Sequence, residues 1–158
     1  MKVITKEMVN RGTQDKGVVI VTGANRGIGR AITIELNKTG YTVIAGVRRT
    51  LKTDFQDHIE GVHYVSLDLT NSTSIVRFAE AAKDLCKGSL IALINNAGVS
   101  GIGPIEEFSL LHARQIFEVN FWGLIKLTQL LLPLLKKCGQ RSSPVHLLNF
   151  GSLIAEFP

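Results

Sequence analysis

The segment "VVIVTGANRGIGRAITIELNKTG", Val18 to Gly40, constrains the fold more than any other part of the chain. Val18 to Thr22 are all β-branched, and a short apolar run of this kind reads as a strand buried on both faces. Gly23, Gly27 and Gly29 follow at Gly-x-x-x-Gly-x-Gly spacing and open a stretch of helical periodicity. There Ile28, Ala31, Ile32 and Leu36 fall on one face, and Gly40 is placed to end the helix. Glycines at a strand-to-helix junction let the backbone turn sharply and approach a pyrophosphate, whose charge is met by N–H groups at the helix N-terminus. A glycine cluster alone also occurs in empty turns. The strand before it and the helix after it are what point to a nucleotide.

The rest of the chain repeats the alternation. Residues 1–16 are polar and aperiodic and read as a flexible N-terminal tail before a domain over 17–158. "YTVIAGV" is a second strand and "VHYVSLDL" a third. A helix from about Ser72 to Lys87 has Thr70 or Ser72 to cap it and Gly88 to stop it. "LIALINNAG" is a fourth strand, a helix spans about Ser109 to Lys137, and "VHLLNFGS" is a fifth strand. Strands and helices in this order imply right-handed crossovers and an α/β fold, a parallel sheet covered on both faces.

Composition excludes several function classes. At 45% apolar and 20% charged the chain is an ordinary globular one. The N-terminus has no apolar segment of signal-peptide type. The most apolar stretch, "FWGLIKLTQLLLPLL", is too short for a membrane span and carries Lys126 and Gln129. These features read as a soluble, cytoplasmic protein. Cys86 and Cys138 are far apart in sequence with no CxxC, which excludes a disulfide framework and reads as plain packing. His58, His63, His112 and His146 are scattered, so no metal site is expected. The net charge of +5 suits an anionic partner, but the basic residues form no tract or aromatic-interleaved stripe. Nucleic acid is therefore not expected, and a phosphate-rich small molecule explains the charge bias as well.

The glycine pattern, together with "NNAG" at Asn95 to Gly98, resembles the short-chain dehydrogenase/reductase family, from about Val18 to Ser152. The resemblance implies a Rossmann-type doubly wound parallel sheet of about five strands, with the C-terminal part of the family fold missing. It implies that Gly23, Asn25, Arg26, Gly27, Ile28 and Gly29 form the dinucleotide loop. Asp68, in "LDLT", resembles the aspartate that hydrogen-bonds the adenine; the alternative is a residue that caps the following helix. Asn95, Ala97 and Gly98 resemble the segment that stabilises the central sheet and lines the cofactor ribose. Asn120, in "FEVNFWG", matches the asparagine of the catalytic tetrad, and Ser152 the serine that polarises a substrate carbonyl. An unpaired amide buried in so apolar a helix would cost about 1–3 kcal/mol, so Asn120 is expected to have partners.

Charge argues for one cofactor over the other. A carboxylate after the second strand would bind the ribose hydroxyls of NAD and repel a 2′-phosphate. Here Arg48 and Arg49 occupy that region, with Arg26 beside Gly27. Guanidinium groups suit phosphate through bidentate geometry and permanent charge, which favours NADP(H) over NAD(H); the alternative is solvated surface arginines.

The family reaction moves a hydride between nicotinamide and a carbonyl or secondary alcohol carbon, with a tyrosine in a Tyr-x-x-x-Lys motif handling the proton. The tyrosines here are Tyr41 and Tyr64, followed four residues on by Ala45 and Asp68. The expectation is an NADPH-dependent oxidoreductase domain that ends before that motif and does not turn over alone. A non-catalytic NADP(H)-binding or protein-interaction module is the alternative. Pro133 is expected to kink or loosen the last turns of the long helix. Apolar residues from Ile116 to Leu131 wrap nearly all round that helix, so it needs cover on a second side. In the family it pairs with its counterpart, which implies a homo-oligomer through the helix 109–137.

Overall fold

Strand and helix alternate through a computed structural model that describes residues 16–48, 59–139 and 144–151. The elements are β1 (Val18–Thr22), α1 (Gly27–Lys38), β2 (Thr42–Val47), β3 (Val62–Ser66), α2 (Ser72–Cys86), β4 (Leu90–Asn95), α3 (Leu110–Phe117), a π-helical turn (Glu118–Gly123), α4 (Leu124–Gly139) and β5 (His146–Asn149). All five strands are parallel, in the order β3-β2-β1-β4-β5. The tail up to residue 15, Arg49 and Ser152 lie outside the described residues.

Side-chain alternation divides the core into two layers. Val18 and Ile20 point to one face of β1, where Ile44, Leu90 and Leu93 join Phe78 of α2 and Leu127, Leu131 and Leu135 of α4. Val19 and Val21 point to the other, where they meet Val43, Ala45 and Ile94 with Ile32 and Leu36 of α1 packed over them. Each fully buried aliphatic or aromatic side chain contributes about 1.5–3 kcal/mol, so a β1 buried along its whole length anchors both layers. β5 closes one edge, and its four residues are exposed.

Three local expectations are corrected. Ile28 is 64% exposed and Ala31 is exposed too, because α1 packs through Gly29, Ile32, Thr33 and Leu36. The cap of α2 is neither Thr70 nor Ser72: Asn71 holds an extended backbone, and its Oδ1 accepts the Ser74 N–H at 3.0 Å. Gly40 does follow α1, at φ 94°, with its N–H on Asn37 O and the Tyr41 N–H on Leu36 O, a Schellman closure. α4 runs through Pro133 to Gly139, and a departure from α geometry lies upstream of it, in the π turn. There Gly123 comes so close to the loop before α2 that an added Cβ would lie 2.3 Å from Leu69 O. The third correction concerns Asn120, which is exposed rather than buried.

Candidate functional site

Strand order reverses direction at β1, with β2 on one side and β4 on the other, and parallel sheets open a crevice at the C-terminal ends of such strands. A cleft of about 760 Å³ lies there. The loop from Gly23 to Gly29 supplies one wall through Gly23, Asn25, Arg26, Gly27, Ile28 and Gly29. Arg48 after β2, Asp68 after β3, and Ala97 and Gly98 after β4 line the remainder.

Thr22 holds the two central strand ends together. Fully buried, its Oγ1 accepts the N–H groups of Asn96 at 3.0 Å and Ala97 at 2.9 Å and donates to Ile94 O at 3.4 Å. Asn96 returns the contact, its Nδ2 donating to Thr22 O at 2.9 Å. The same amide presses on the start of α1. A Cβ on Gly29 would lie 2.4 Å from Asn96 Nδ2 and 2.4 Å from Gly23 O, so only glycine fits there. A Cβ on Gly27 would meet nothing within 4 Å: that position opens toward the cleft.

The N-terminus of α1 differs from those of the other helices. Asn71 caps α2 and Ser109 caps α3 by accepting backbone N–H groups. At α1 the cap residue is Arg26, with no side-chain cap bond and no acidic residue in the first turn. Its leading N–H groups therefore face the cleft with the positive end of the helix dipole behind them, the arrangement that suits an anion. Arg26 and Arg48 add two guanidinium groups to the lining, against the single carboxylate of Asp68 among the described residues. The open Gly27, the close-packed Gly23 and Gly29 and this uncapped terminus fit a dinucleotide pyrophosphate.

Asp68 does not cap α2. Its Oδ1 accepts the Thr70 N–H at 2.9 Å and the Thr70 hydroxyl at 2.7 Å, while its own N–H donates to Ser74 Oγ at 2.9 Å. The carboxylate is thus fixed at the cleft by a turn of its own. Asn120 sits in the π turn with both ends of its amide engaged: Oδ1 accepts the Val99 N–H at 2.8 Å and Nδ2 donates to Val99 O at 2.7 Å. The side chain thus fixes the strand exit that carries Gly98 and Val99 along the cleft.

Asn95 is placed elsewhere. It is 2% exposed and lies away from the cleft, with Nδ2 donating to Thr128 Oγ1 at 3.1 Å and Asn149 Oδ1 at 2.9 Å. This ties β4 to α4 and β5, and its Oδ1 has no partner among the described residues. Asn96 lines the cleft in its stead and was missed, as were Thr22 and Val99. The signal for Asn96 was its position as the first residue beyond β4, next to the β1 exit. No group of three or more histidine, cysteine or acidic residues able to hold a metal occurs among the described residues. No helix among them is long and apolar enough to cross a membrane.

Residues 17–157 match the profile of a family described as short chain dehydrogenase. A short-chain dehydrogenase of Penicillium crustosum, PC-15, is 35% identical over 122 residues, covering 77% of this chain and 45% of that protein. A short chain dehydrogenase from Burkholderia cenocepacia, solved in complex with NADP, is 32% identical with a TM-score of 0.76, over 91% of this chain and 56% of that one. A 3-ketoacyl-(acyl-carrier-protein) reductase from Brucella melitensis, complexed with NADH, shares the fold at 24% identity and a TM-score of 0.77, over 85% of this chain and 57% of that one. The chain spans about half the length of the curated relatives it matches. With the glycine loop, the strand order and the profile match in agreement, the chain belongs to the short-chain dehydrogenase family.

Proposed function

We propose that this chain is the dinucleotide-binding part of an NADP(H)-dependent oxidoreductase that interconverts a carbonyl and a secondary alcohol. The observation that carries the cofactor choice is the presence of both Arg26 and Arg48 on a cleft whose lining, among the described residues, holds no acidic residue other than Asp68. Related folds hold NADP in one case and NADH in another, so the fold does not make the choice. Two guanidinium groups do, because a 2′-phosphate gains charge-assisted bonds from them that a free ribose hydroxyl does not.

When bound, the nicotinamide supplies or accepts the hydride. Gly23, Gly27, Gly29 and the α1 N-terminus accommodate the pyrophosphate, Asp68 receives a donor from the adenine side, and Ala97 and Gly98 border the ribose. Asn120 acts as a positioning residue through Val99. Ser152, outside the described residues, has the role of polarising the substrate oxygen.

The companion proton needs a group at the cleft. Neither tyrosine lines it: Tyr41 precedes β2, at the opposite end of the strand from the cleft, and Tyr64 pairs with Ala45 halfway along the edge strand β3. These 158 residues alone are therefore proposed to bind NADPH without consuming it. Mixing the purified chain with NADPH and a panel of aldehydes and ketones tests this. A saturable fluorescence change at constant dihydronicotinamide absorbance supports the proposal, and steady loss of that absorbance contradicts it.

A second reading, a non-catalytic module that pairs with another chain, draws on the surface of the long helix. Leu110, Leu111, Phe117, Phe121 and Trp122 are between 46% and 77% exposed, which suits a homo-oligomer through residues 109–137. Sedimentation as a monomer over a wide concentration range would count against this pairing.

A further inference from the structure

Two residues far apart in the chain converge at the ends of α2 and α4. Cys86 is the last residue of α2 and fully buried; Cys138 lies in the last turn of α4, half-buried. The two helices pack on each other, and both cysteines belong to the same hydrophobic layer. Ala82 and Leu135, about one turn earlier in each helix, are buried in that layer. The Cys138 thiol donates to Gly88 O at 3.0 Å, which aims its sulfur at the turn immediately after Cys86. That turn is itself pinned, because Ser89 donates to Cys86 O through its N–H at 2.8 Å and its hydroxyl at 2.7 Å.

We propose that Cys86 and Cys138 are a reversible thiol–disulfide pair that a peroxide closes, stapling the end of α2 to the end of α4. Neither residue lines the nucleotide cleft, so the device is separate from it. The order of steps follows from the surroundings. Burial first, and the neighbouring Cys138 second, push the Cys86 thiol up to about 12, so it stays protonated and reacts late. Cys138, with more solvent access, reacts first: its sulfur attacks one peroxide oxygen and keeps it, the O–O bond breaks, and the other oxygen takes up a proton and leaves as water. The resulting neutral sulfenic acid no longer repels charge on Cys86. The Cys86 sulfur then attacks the Cys138 sulfur, the S–O bond breaks, and the second water carries away the Cys86 proton. The two thiols are oxidised by two electrons in total, and one peroxide is reduced to two waters. A disulfide needs Cα atoms within about 4.4–6.8 Å. Both thiols sit at helix ends, where the last turn adjusts most easily.

The test is intact mass of the folded chain before and after hydrogen peroxide, with peptide mapping under non-reducing conditions. The expected result is a loss of two hydrogens per chain, one peptide pair joining Cys86 to Cys138, and full reversal by dithiothreitol. In Cys86→Ala the mass should instead rise by one or more oxygens at Cys138, and NADPH titration should be unchanged in both forms. An oxygen adduct on Cys138 in the unsubstituted chain with Cys86 still free would overturn the proposal. So would a disulfide between two chains, or no change in mass.

Discussion

Asn120 and Val99 close a two-bond ring: the amide of one residue engages both backbone groups of the other, at 2.8 and 2.7 Å. The ring joins the π turn to the strand exit that borders the cleft. It gives Asn120 a definite task that needs neither burial nor contact with a reacting atom.

Asn120→Ala should therefore free the Val99 segment. Both bonds are solvent-accessible and each is worth about 0.5–1.5 kcal/mol, so stability should fall by about 1–2 kcal/mol. Hydrogen exchange at the Val99 amide should accelerate while the β1 amides stay protected. Unchanged protection at Val99 would show that the ring does not hold the loop.

Gly29 and Gly27 should behave in opposite ways on substitution. Gly29→Ala drives a methyl against Gly23 O and Asn96 Nδ2, and overpacking of this kind costs about 1–3 kcal/mol or more. Gly27→Ala meets open space, and its φ of +53° costs about 1–2 kcal/mol, so the fold should survive. Its methyl would nonetheless stand where the cleft opens, and NADPH affinity should drop at least tenfold. Thermal unfolding and NADPH titration of the two variants separate the packing role from the binding role.

Gly123→Ala tests the π turn. With Leu69 O only 2.3 Å from the added carbon, the helix must move away from the loop that leads to Asp68 and Asn71 or the turn must re-register. A melting temperature several degrees lower is expected for a loss of about 1–3 kcal/mol. An unchanged melting temperature would mean that the close approach is not needed.

Cys86 predicts an alkaline effect. Its thiol is raised from 9.0 to about 12 in the folded chain, chiefly by burial. Below pH 9 both folded and unfolded chains hold the proton, and the full contribution to stability is present. As pH rises from about 9 toward 12 the unfolded chain ionises first, so that contribution is lost. Cys86→Ala should remove this part of the decline between pH 9 and 11. Equal slopes for the two proteins in urea unfolding at each pH would contradict it.

How far the sequence could be read depended on whether a residue's role was local. The β-branched run Val18–Thr22, the glycine spacing and the stop at Gly40 are backbone requirements written in adjacent residues, and the structure forms them as read. Ile28 and Ala31 misled because helical periodicity gives faces but not which face the sheet covers. Gly29, which sits against Gly23 and Asn96, and Thr33 are the buried residues of α1, and Ile28 borders the cleft instead. Asn95 and Asn96 are neighbours with the same side chain, and the end of β4 sends one into the core and the other to the β1 exit. The π turn was not legible because the close approach of Leu69 O to Gly123 within it joins residues far apart in sequence. The convergence of Cys86 and Cys138 was hidden for the same reason.

The central claim is that the cleft binds NADP(H) and that Arg48 helps select it. Fluorescence titration of the chain and of Arg48→Asp with NADPH and NADH tests it most directly. The account predicts that NADPH binds the unsubstituted chain at least about tenfold more tightly than NADH, a difference of about 1.4 kcal/mol, and that Arg48→Asp erases or reverses this order. Equal affinities for the two cofactors, a preference untouched by the substitution, or binding of neither would contradict it.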